Sequence, residues 1–145
     1  MTTSEQQILI VDDDDDVRDS LCALLRSAGF AVRDFASARA LLGEDSLAGA
    51  CLIADIRMPD MDGLTMQEEL NKRGSTLPVI IVTGHGDVPL AVRAMKAGAI
   101  DFIEKPYDDE DLLASVRRAI DLKRLTPRLP EEEAASIALI DGLTP

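Results

Sequence analysis

The sequence predicts an α/β fold in which a doubly wound parallel sheet is covered by helices on both faces. The 145 residues suffice for one ordinary domain, and 46% of them are hydrophobic, which is enough to build a core. Five short, mostly apolar runs recur along the chain, and each is followed by a stretch with helical periodicity. Runs that are apolar almost throughout are typical of strands in a parallel sheet whose crossover helices cover both faces.

The first unit starts with a β-branched strand at residues 8–11 and continues into five consecutive aspartates at residues 12–16. The helix that follows places apolar side chains three and four residues apart, which predicts one buried face. That face is formed by Val17, Leu21, Leu24, Leu25 and Ala28. Gly29 predicts the end of the helix.

The second and third units repeat this order. Residues 31–35 form the second strand, and Ser37 is placed to cap a short helix after it. The third strand, at residues 51–54, ends at Asp55, and after a loop a helix runs to about Lys72. Both units add a parallel strand to the predicted sheet.

The last two units complete the fold. A strand at residues 79–82 ends at Thr83, and Asp87 is placed to cap the next helix. One face of that helix is formed by Val88, Ala91, Val92 and Met95. The fifth strand covers residues 100–104, and the last helix starts at Asp108. Its predicted inward side chains are Leu112, Leu113, Val116 and Ile120.

The charge and the cysteines exclude several classes of function. With 15 basic and 27 acidic residues, the formal net charge is −12, so phosphate backbones and anionic membranes repel this chain. We therefore expect no nucleic acid and no membrane as direct partners. Cys22 and Cys51 lie in apolar stretches without the spacing of a zinc site, which favours buried free thiols. No signal peptide or membrane span is recognisable, and a cytoplasmic location is expected.

Polar residues follow four of the five predicted strands, at the edge where ligands bind in parallel sheets. They are Asp12 and Asp13 after the first strand, Asp55 after the third, Thr83 after the fourth and Lys105 after the fifth. Three carboxylates in one place repel each other, and Mg²⁺, or Mn²⁺, relieves that repulsion with hard oxygen ligands. An ammonium and a hydroxyl beside them suit a phosphoryl group, toward which a carboxylate can act as nucleophile.

Each of these residues has a simpler interpretation when taken alone: an aspartate can cap a helix, and Thr83 and Lys105 can be ordinary surface groups. Their coincidence at four strand ends favours one site. An EF-hand starting at Asp12 is disfavoured, because its sixth position is Val17 and its twelfth is Ala23. Neither GxGxxG nor GxxxxGK[ST] occurs, so the phosphate-binding loops of common nucleotide sites are absent from the sequence.

Four strings resemble, in this order, the receiver domain of two-component response regulators: ILIVDDD, ADIRMPDMDG, VIIVTGHGD and DFIEKP. The stretch TGHGDVPLAVRAMKAGAIDFIEKP is similar to the FixJ-like and DctD-like subgroups. The resemblance covers about residues 6–123. It implies a flavodoxin-like (βα)5 fold with strand order 2-1-3-4-5, and a receiver domain at residues 1–125.

By this resemblance, Asp55 is the phosphoacceptor, and Thr83 and Lys105 contact the phosphoryl group. The implied Mg²⁺ ligands are Asp12, Asp13, Asp55 and the backbone carbonyl of Arg57. Phe102 is the aromatic side chain whose rotamer follows activation, together with Thr83. Arg57 and His85 occupy positions that tune the lifetime of the phosphoryl group, although an exposed loop residue without a role is an equally good interpretation of His85. The bond between Lys105 and Pro106 is a cis peptide in the family, while Asp14 to Asp16 are expected to start the first helix.

The implied function is a phosphorylation-activated switch. A sensor histidine kinase donates the phosphoryl group, and a surface of the fourth helix, fifth strand and fifth helix responds and commonly dimerises. A metal-dependent aspartyl-phosphate hydrolase is the enzyme alternative, but it needs a second acid two residues after the nucleophile, where Arg57 stands. The third hypothesis is an interaction module that works without phosphorylation, against which the complete set of five residues argues.

Residues 126–145 differ in character from the rest. They hold three of the seven prolines, and Pro130 with three following glutamates favours a helical start. The final Leu-Thr-Pro repeats such a start signal. In FixJ-like regulators a linker of this kind precedes a helix-turn-helix output domain. We therefore expect a linker that leads to an absent C-terminal domain, through which any DNA contact is made.

Overall fold

The computed structural model describes residues 7–44, 49–84 and 88–125, and they form a parallel sheet with helices on both faces. The strands are β1 (Gln7–Val11), β2 (Ala31–Phe35), β3 (Cys51–Asp55), β4 (Val79–Thr83) and β5 (Asp101–Glu104). The helices are α1 (Asp15–Ser27), α2 (Ala38–Leu42), α3 (Gly63–Lys72), α4 (Val88–Lys96) and α5 (Asp109–Leu125). The strand order is β2-β1-β3-β4-β5, so the predicted fold and order are confirmed.

Two hydrophobic clusters sandwich the sheet, because successive side chains of each strand point to opposite faces. Leu9 and Val11 of β1 pack in one cluster with side chains of α2, α3 and α4. Ile8 and Ile10 pack in the other cluster with side chains of α1 and α5. Both faces of β1 are therefore covered, which explains why its sequence is apolar without interruption.

The acidic run divides at the start of α1, as predicted. Asp14 is the N-cap, and its side chain accepts hydrogen bonds from the backbone N–H groups of Asp16 and Val17. Asp15 and Asp16 lie in the first turn, where their charge interacts favourably with the helix dipole. Only Asp12 and Asp13 remain for the strand end.

The apolar face predicted for α4 is only partly directed to the core. Ala91 and Ala94 are fully buried, whereas Val92 is 43% exposed and Met95 37% exposed. The core side of the helix is thus formed by small side chains, Ala91 of the predicted face and Ala94 outside it, and alanine lets a helix approach closely. The larger side chains of Val92 and Met95 are left on the surface.

Two amide side chains of α3 tie that helix to the C-terminal end of α4. Gln67 Nε2 donates to the carbonyl oxygen of Ala94 at 3.1 Å, and Gln67 is buried. Asn71 Nδ2 donates to the carbonyl oxygen of Ala97 at 2.9 Å. The last carbonyls of α4 thus gain partners from a neighbouring helix.

Cys22 and Cys51 are buried free cysteines, as predicted, and burial raises the pKa of the Cys51 thiol to about 12. Among the residues that the structure describes, none of the helices is long and apolar enough to cross a membrane. The predicted cap Asp87, His85 and the tail at residues 126–145 lie outside the described residues.

Candidate functional site

The strand ends bring the predicted acidic residues together. Asp12 follows β1, Asp55 ends β3, and the two parallel strands are direct neighbours in the sheet. One carboxylate oxygen each from Asp12, Asp13 and Asp55 lies within 4.8 Å of the others. Asp12 is buried, Asp55 is largely buried with 11% of its side chain exposed, and Asp13 is exposed, so the cluster opens to solvent on one side. Such an arrangement of oxygen donors can hold a divalent cation.

Lys105 supplies the positive charge at this cluster. Its Nζ lies 3.5 Å from Oδ2 of Asp55 and 4.0 Å from Oδ2 of Asp12. The backbone N–H of Lys105 donates to the carbonyl oxygen of Thr83 at 2.8 Å, which fixes the lysine at the end of β5. The peptide bond between Lys105 and Pro106 is cis, as the resemblance implied. One ammonium therefore faces two of the three clustered carboxylates.

Backbone amides orient the two more buried carboxylates. Oδ1 of Asp12 accepts a hydrogen bond from the N–H of Asp14 at 2.9 Å. Oδ1 of Asp55 accepts one from the N–H of Arg57 at 3.3 Å. In both residues the other oxygen, Oδ2, faces Lys105. Each carboxylate is thus held at one oxygen by the main chain and presents the second one to the site.

The electrostatic environment disfavours ionised carboxylates in the metal-free protein. Burial raises the pKa of Asp12, against the hydrogen bond from Asp14 N–H, which lowers it, and repulsion from Asp55 raises it further. Burial also raises the pKa of Asp55, although Lys105 and the N–H of Arg57 oppose the shift. The chemistry of the donor set therefore fits a bound cation, which supplies the charge that Lys105 alone does not.

The Asp12→Asn variant is expected to be more stable than the wild type in EDTA at pH 7. Because the pKa of Asp12 is raised in the folded state, that state binds more protons than the unfolded one from about pH 4 upward. The free energy of unfolding then falls as the pH rises through that window, and asparagine removes this loss while keeping the acceptor for Asp14 N–H. Thermal unfolding between pH 4 and 7.5 measures the difference, which shrinks as the pH falls.

The exposed Asp19→Asn variant of α1 is the control for this measurement, since Asp19 lies on the solvent face of that helix. A gain of the same size in both variants would show that reduced net charge, rather than burial at the site, is responsible.

Thr83 and Phe102 lie on β4 and β5 but have different surroundings. Thr83 is fully buried, and its hydroxyl donates to the carbonyl oxygen of Gly84 at 2.9 Å. Phe102 is opposite Ile81 in the sheet and packs half-buried against the cluster formed with α2, α3 and α4. The structure therefore places Thr83 at the strand edge of the site, and Phe102 two residues before the end of β5.

Arg57 borders the site at the start of the loop after β3. Its backbone N–H contacts Asp55, and its side chain is exposed. Arg57, Met58, Pro59 and Asp62 line a shallow cavity of about 270 Å³. The loop thus leaves open space beside Arg57, two residues after Asp55.

Gly63 lies against the main chain of Asp55, a close approach that the sequence did not predict. A Cβ at this position would lie 2.6 Å from the carbonyl oxygen of Asp55 and 3.0 Å from Cα of Ile56. The N–H of Gly63 donates to the carbonyl oxygen of Ile56 at 2.8 Å, and Asp62 caps the helix that begins here. In the sequence, only the Asp-Gly pair at the start of a helical pattern indicates that Gly63 has a special position.

Arg18 is the second contact that sequence reasoning missed. Its Nη1 donates to the backbone carbonyl oxygen of Asp12 at 2.7 Å, and its Nε donates to Oδ2 of Asp34 at 2.9 Å. Asp34 lies in β2, sixteen residues further along the chain. Because this partner is brought near only by the fold, no local pattern could have identified it.

A family model of the response regulator receiver domain matches residues 8–117. The response regulator protein TmoT of Ectopseudomonas mendocina is 46% identical over 140 residues, which are 93% of this chain and 64% of that protein. The transcriptional regulatory protein FixJ of Azorhizobium caulinodans is 52% identical over 105 residues, 72% of this chain and 50% of that protein. The chain thus spans between 50% and 64% of the length of these relatives.

Solved structures agree with the sequence matches. The crystal structure of FixJ-N has a TM-score of 0.76 at 45% identity, covering 83% of this chain and 96% of that one. Full-length FixJ from B. japonicum has a TM-score of 0.74 at 46% identity, covering 82% of this chain and 59% of that one. The shared fold and the matched sequence lead to one conclusion: this chain belongs to the response regulator receiver domains of two-component signal transduction, in the FixJ-like subgroup.

Proposed function

We propose that this receiver domain accepts a phosphoryl group on Asp55 from the phosphohistidine of a sensor histidine kinase. The observation that carries the proposal is the position of Asp55: one oxygen is bound by a backbone amide, and the other lies 3.5 Å from Lys105 Nζ. Receiver domains are regulatory rather than conventional enzymes. The product is therefore a state of the protein, and not a released compound.

The residues that would hold Mg²⁺, or Mn²⁺, are Asp12, Asp13, Asp55 and the backbone carbonyl of Arg57. Their oxygen donors suit these hard cations. When bound, the cation neutralises negative charge as the phosphoryl group approaches the carboxylates. Asp13 is exposed at the open side of the cluster, where an entering cation and its waters are accommodated.

The transfer itself is a displacement at phosphorus. An oxygen of Asp55 forms the new P–O bond, and the P–N bond to the histidine breaks with its electron pair going to the imidazole, which takes up a proton. Lys105 pairs with the phosphoryl oxygens, and it leaves its contact with the ionised Asp55 to do so. The resulting acyl phosphate hydrolyses at a rate that Arg57 and His85 adjust.

Activation follows from the added charge. The hydroxyl of Thr83 exchanges its bond to the carbonyl of Gly84 for one to a phosphoryl oxygen, since a charged acceptor binds a hydroxyl more strongly. The backbone N–H of Lys105, just after β5, donates to the carbonyl oxygen of Thr83 at the end of β4. Thr83 and Lys105 therefore move together. Phe102, only half-buried, changes rotamer as this region rearranges.

Removing one proposed ligand is expected to weaken Mg²⁺ binding without harm to the fold. Asp13→Ala deletes an exposed carboxylate that contributes one of the three clustered oxygens. Calorimetric titration of the metal-free protein should show affinity reduced by about tenfold or more. Asp16→Ala, in the same acidic run but in the first turn of α1, is the matched control and should bind Mg²⁺ almost normally. Equal affinity of the Asp13→Ala variant and the wild type would remove Asp13 from the cation site.

We further propose that phosphorylation drives dimerisation through α4, β5 and α5. Val92 and Met95 expose apolar surface on α4. Burying this surface against a second copy of the protein would be favourable, because it removes apolar side chains from water. The relatives are named response regulators and transcriptional regulatory proteins. We therefore propose transcription as the output, with DNA bound through a C-terminal domain and not through this acidic domain.

Beryllofluoride with Mg²⁺, a mimic of the phosphoryl group, is expected to convert the protein from monomer to dimer. Val92→Glu places a charge within the exposed stripe and should keep the protein monomeric under the same conditions. Ala23→Glu, on the exposed side of α1, is the control and should dimerise. Sedimentation or light scattering decides, and a Val92→Glu protein that dimerises fully would exclude α4 as the interface.

A further inference from the structure

We propose that Arg18 is a positioning residue, which holds the peptide between Asp12 and Asp13 so that both carboxylates meet the divalent cation. The inference rests on the proposed function, because it assumes that these aspartates bind the cation. Arg18 itself lies on α1 and forms no part of the carboxylate cluster. Its contribution is therefore made through the main chain.

The guanidinium group of Arg18 joins three elements of the fold. Nη1 donates to the carbonyl oxygen of Asp12 at the end of β1, at 2.7 Å. Nε donates to Asp34 in β2 at 2.9 Å, and Nη2 donates to Asp15 in α1. The Arg18 side chain is only 13% exposed, and its bond to the Asp12 carbonyl is partly buried, whereas the carboxylates of Asp15 and Asp34 are exposed. Each nitrogen has its own acceptor, in a different direction.

These bonds fix the main chain around Asp12 on every side. The N–H of Asp12 donates to the carbonyl oxygen of Phe35 at 3.2 Å, and the carbonyl is bound by Arg18. Oδ1 of Asp12 is occupied by the N–H of Asp14. Oδ2 is the oxygen left to face the site, and its direction is set by the three fixed neighbours.

The carbonyl that Arg18 binds belongs to the planar peptide group that leads into Asp13. Because that group rotates as a unit, fixing its oxygen also fixes the direction in which the chain leaves toward Asp13. Asp13 is exposed, so packing does not fix the orientation of its carboxylate in the cluster. The orientation of this ligand is thus set through the bond from Arg18 to the preceding residue.

An arginine is required for this task, because its planar fork directs several N–H groups at once. A lysine keeps the charge but offers a single ammonium on a flexible stem, which cannot bind all three acceptors in the same geometry. A positioning role needs the geometry of arginine, whereas a purely electrostatic role needs only the positive charge. Arg18→Lys and Arg18→Gln therefore distinguish the two roles.

The test is calorimetric Mg²⁺ titration of the metal-free full chain, with thermal unfolding in EDTA as the measure of the fold. Arg18→Lys keeps the charge and loses the fork, so the proposal expects Mg²⁺ affinity to fall by about tenfold. Arg18→Gln also removes a positive charge near the acidic cluster, which by electrostatics alone would strengthen cation binding. The proposal expects weaker binding in this variant too.

Arg33→Lys is the matched control, since Arg33 lies in β2 beside Asp34 but pairs with Glu44 and stacks on Phe35, away from the cluster. Its Mg²⁺ affinity should equal that of the wild type. Normal affinity in Arg18→Lys together with tighter binding in Arg18→Gln would show that Arg18 acts only as a charge and would overturn the proposal. Normal affinity with a lowered melting temperature would make Arg18 merely structural, which overturns it as well.

The same experiment keeps this inference apart from the proposed function. If the wild type binds no Mg²⁺, the cation site itself is wrong and both proposals fail. If the wild type binds Mg²⁺ and the Arg18 variants bind it equally well, only the role of Arg18 fails. Should Arg18→Gln not fold, Arg18→Lys decides alone.

Discussion

The Asp55→Asn variant is expected to form no acyl phosphate when it is incubated with acetyl phosphate and Mg²⁺. The amide nitrogen and oxygen of asparagine cannot act as the carboxylate nucleophile, and the neutral side chain also removes one of three anionic oxygens from the cation site. Loss of labelling should be complete within detection, because Asp12, the other carboxylate near Lys105 Nζ, lies farther from it, at 4.0 Å against 3.5 Å, and is buried. Intact-mass measurement of the phosphorylated protein gives the result directly.

The fold of this variant should be preserved. Asparagine has the shape of aspartate, and its oxygen still accepts the hydrogen bond from Arg57 N–H. Burial raises the pKa of Asp55, so loss of the ionised form removes an unfavourable charge at neutral pH. Asp62→Asn is the control: asparagine is an equally good helix cap, and labelling should persist. Undiminished labelling of the Asp55→Asn protein would show that another residue is the phosphoacceptor.

The Gly63→Ala variant is expected to lose stability and phosphorylation rate together. Its Cβ would meet the carbonyl oxygen of Asp55 at 2.6 Å, a distance that forces either β3 or the start of α3 to move. Overpacking of this kind costs about 1–3 kcal/mol of the free energy of unfolding. Because the displaced atom belongs to Asp55, the nucleophile shifts as well, and reactions of this type are sensitive to such displacement.

Chemical denaturation followed by circular dichroism measures the first effect, and the rate of labelling by acetyl phosphate measures the second. Gly43→Ala is a suitable comparison, since a Cβ there meets its nearest neighbour only at 3.3 Å, at the end of α2. It should cost less stability and leave the labelling rate unchanged. Wild-type rates in Gly63→Ala would show that the close approach is relieved on the α3 side alone.

The fold and the clustering of acidic residues could be predicted because both depend on short-range patterns. An apolar run followed by a helical period gives a parallel sheet, and a parallel sheet puts the residues after its strands, such as Asp12 and Asp55, at one edge. The division of the acidic run between strand end and helix start could be predicted for the same reason, because Asp14 is an effective cap only if the helix starts beside it.

The remaining features depend on contacts that the sequence does not record locally. Val92 and Met95 of α4 are exposed while Ala91 and Ala94 are buried, and periodicity does not tell which of several neighbouring apolar side chains will contact the sheet. Arg18 finds Asp34 only once β2 lies beside β1. The close approach of Gly63 to Asp55 likewise arises from how α3 returns to the sheet.

The bonds from Gln67 and Asn71 of α3 to the C-terminal carbonyls of α4 determine how α4 can move. A helix held at one end swings about that end, so its displacement grows toward the opposite end. At about 1.5 Å per residue, the nine residues of α4 form a lever of about 13 Å, and a tilt of about 10° moves Val88 by about 2 Å. Val88 is the first residue of α4 and lies five residues after Thr83 in the sequence, so we expect a small rearrangement at the end of β4 to rotate the surface that carries Val92 and Met95.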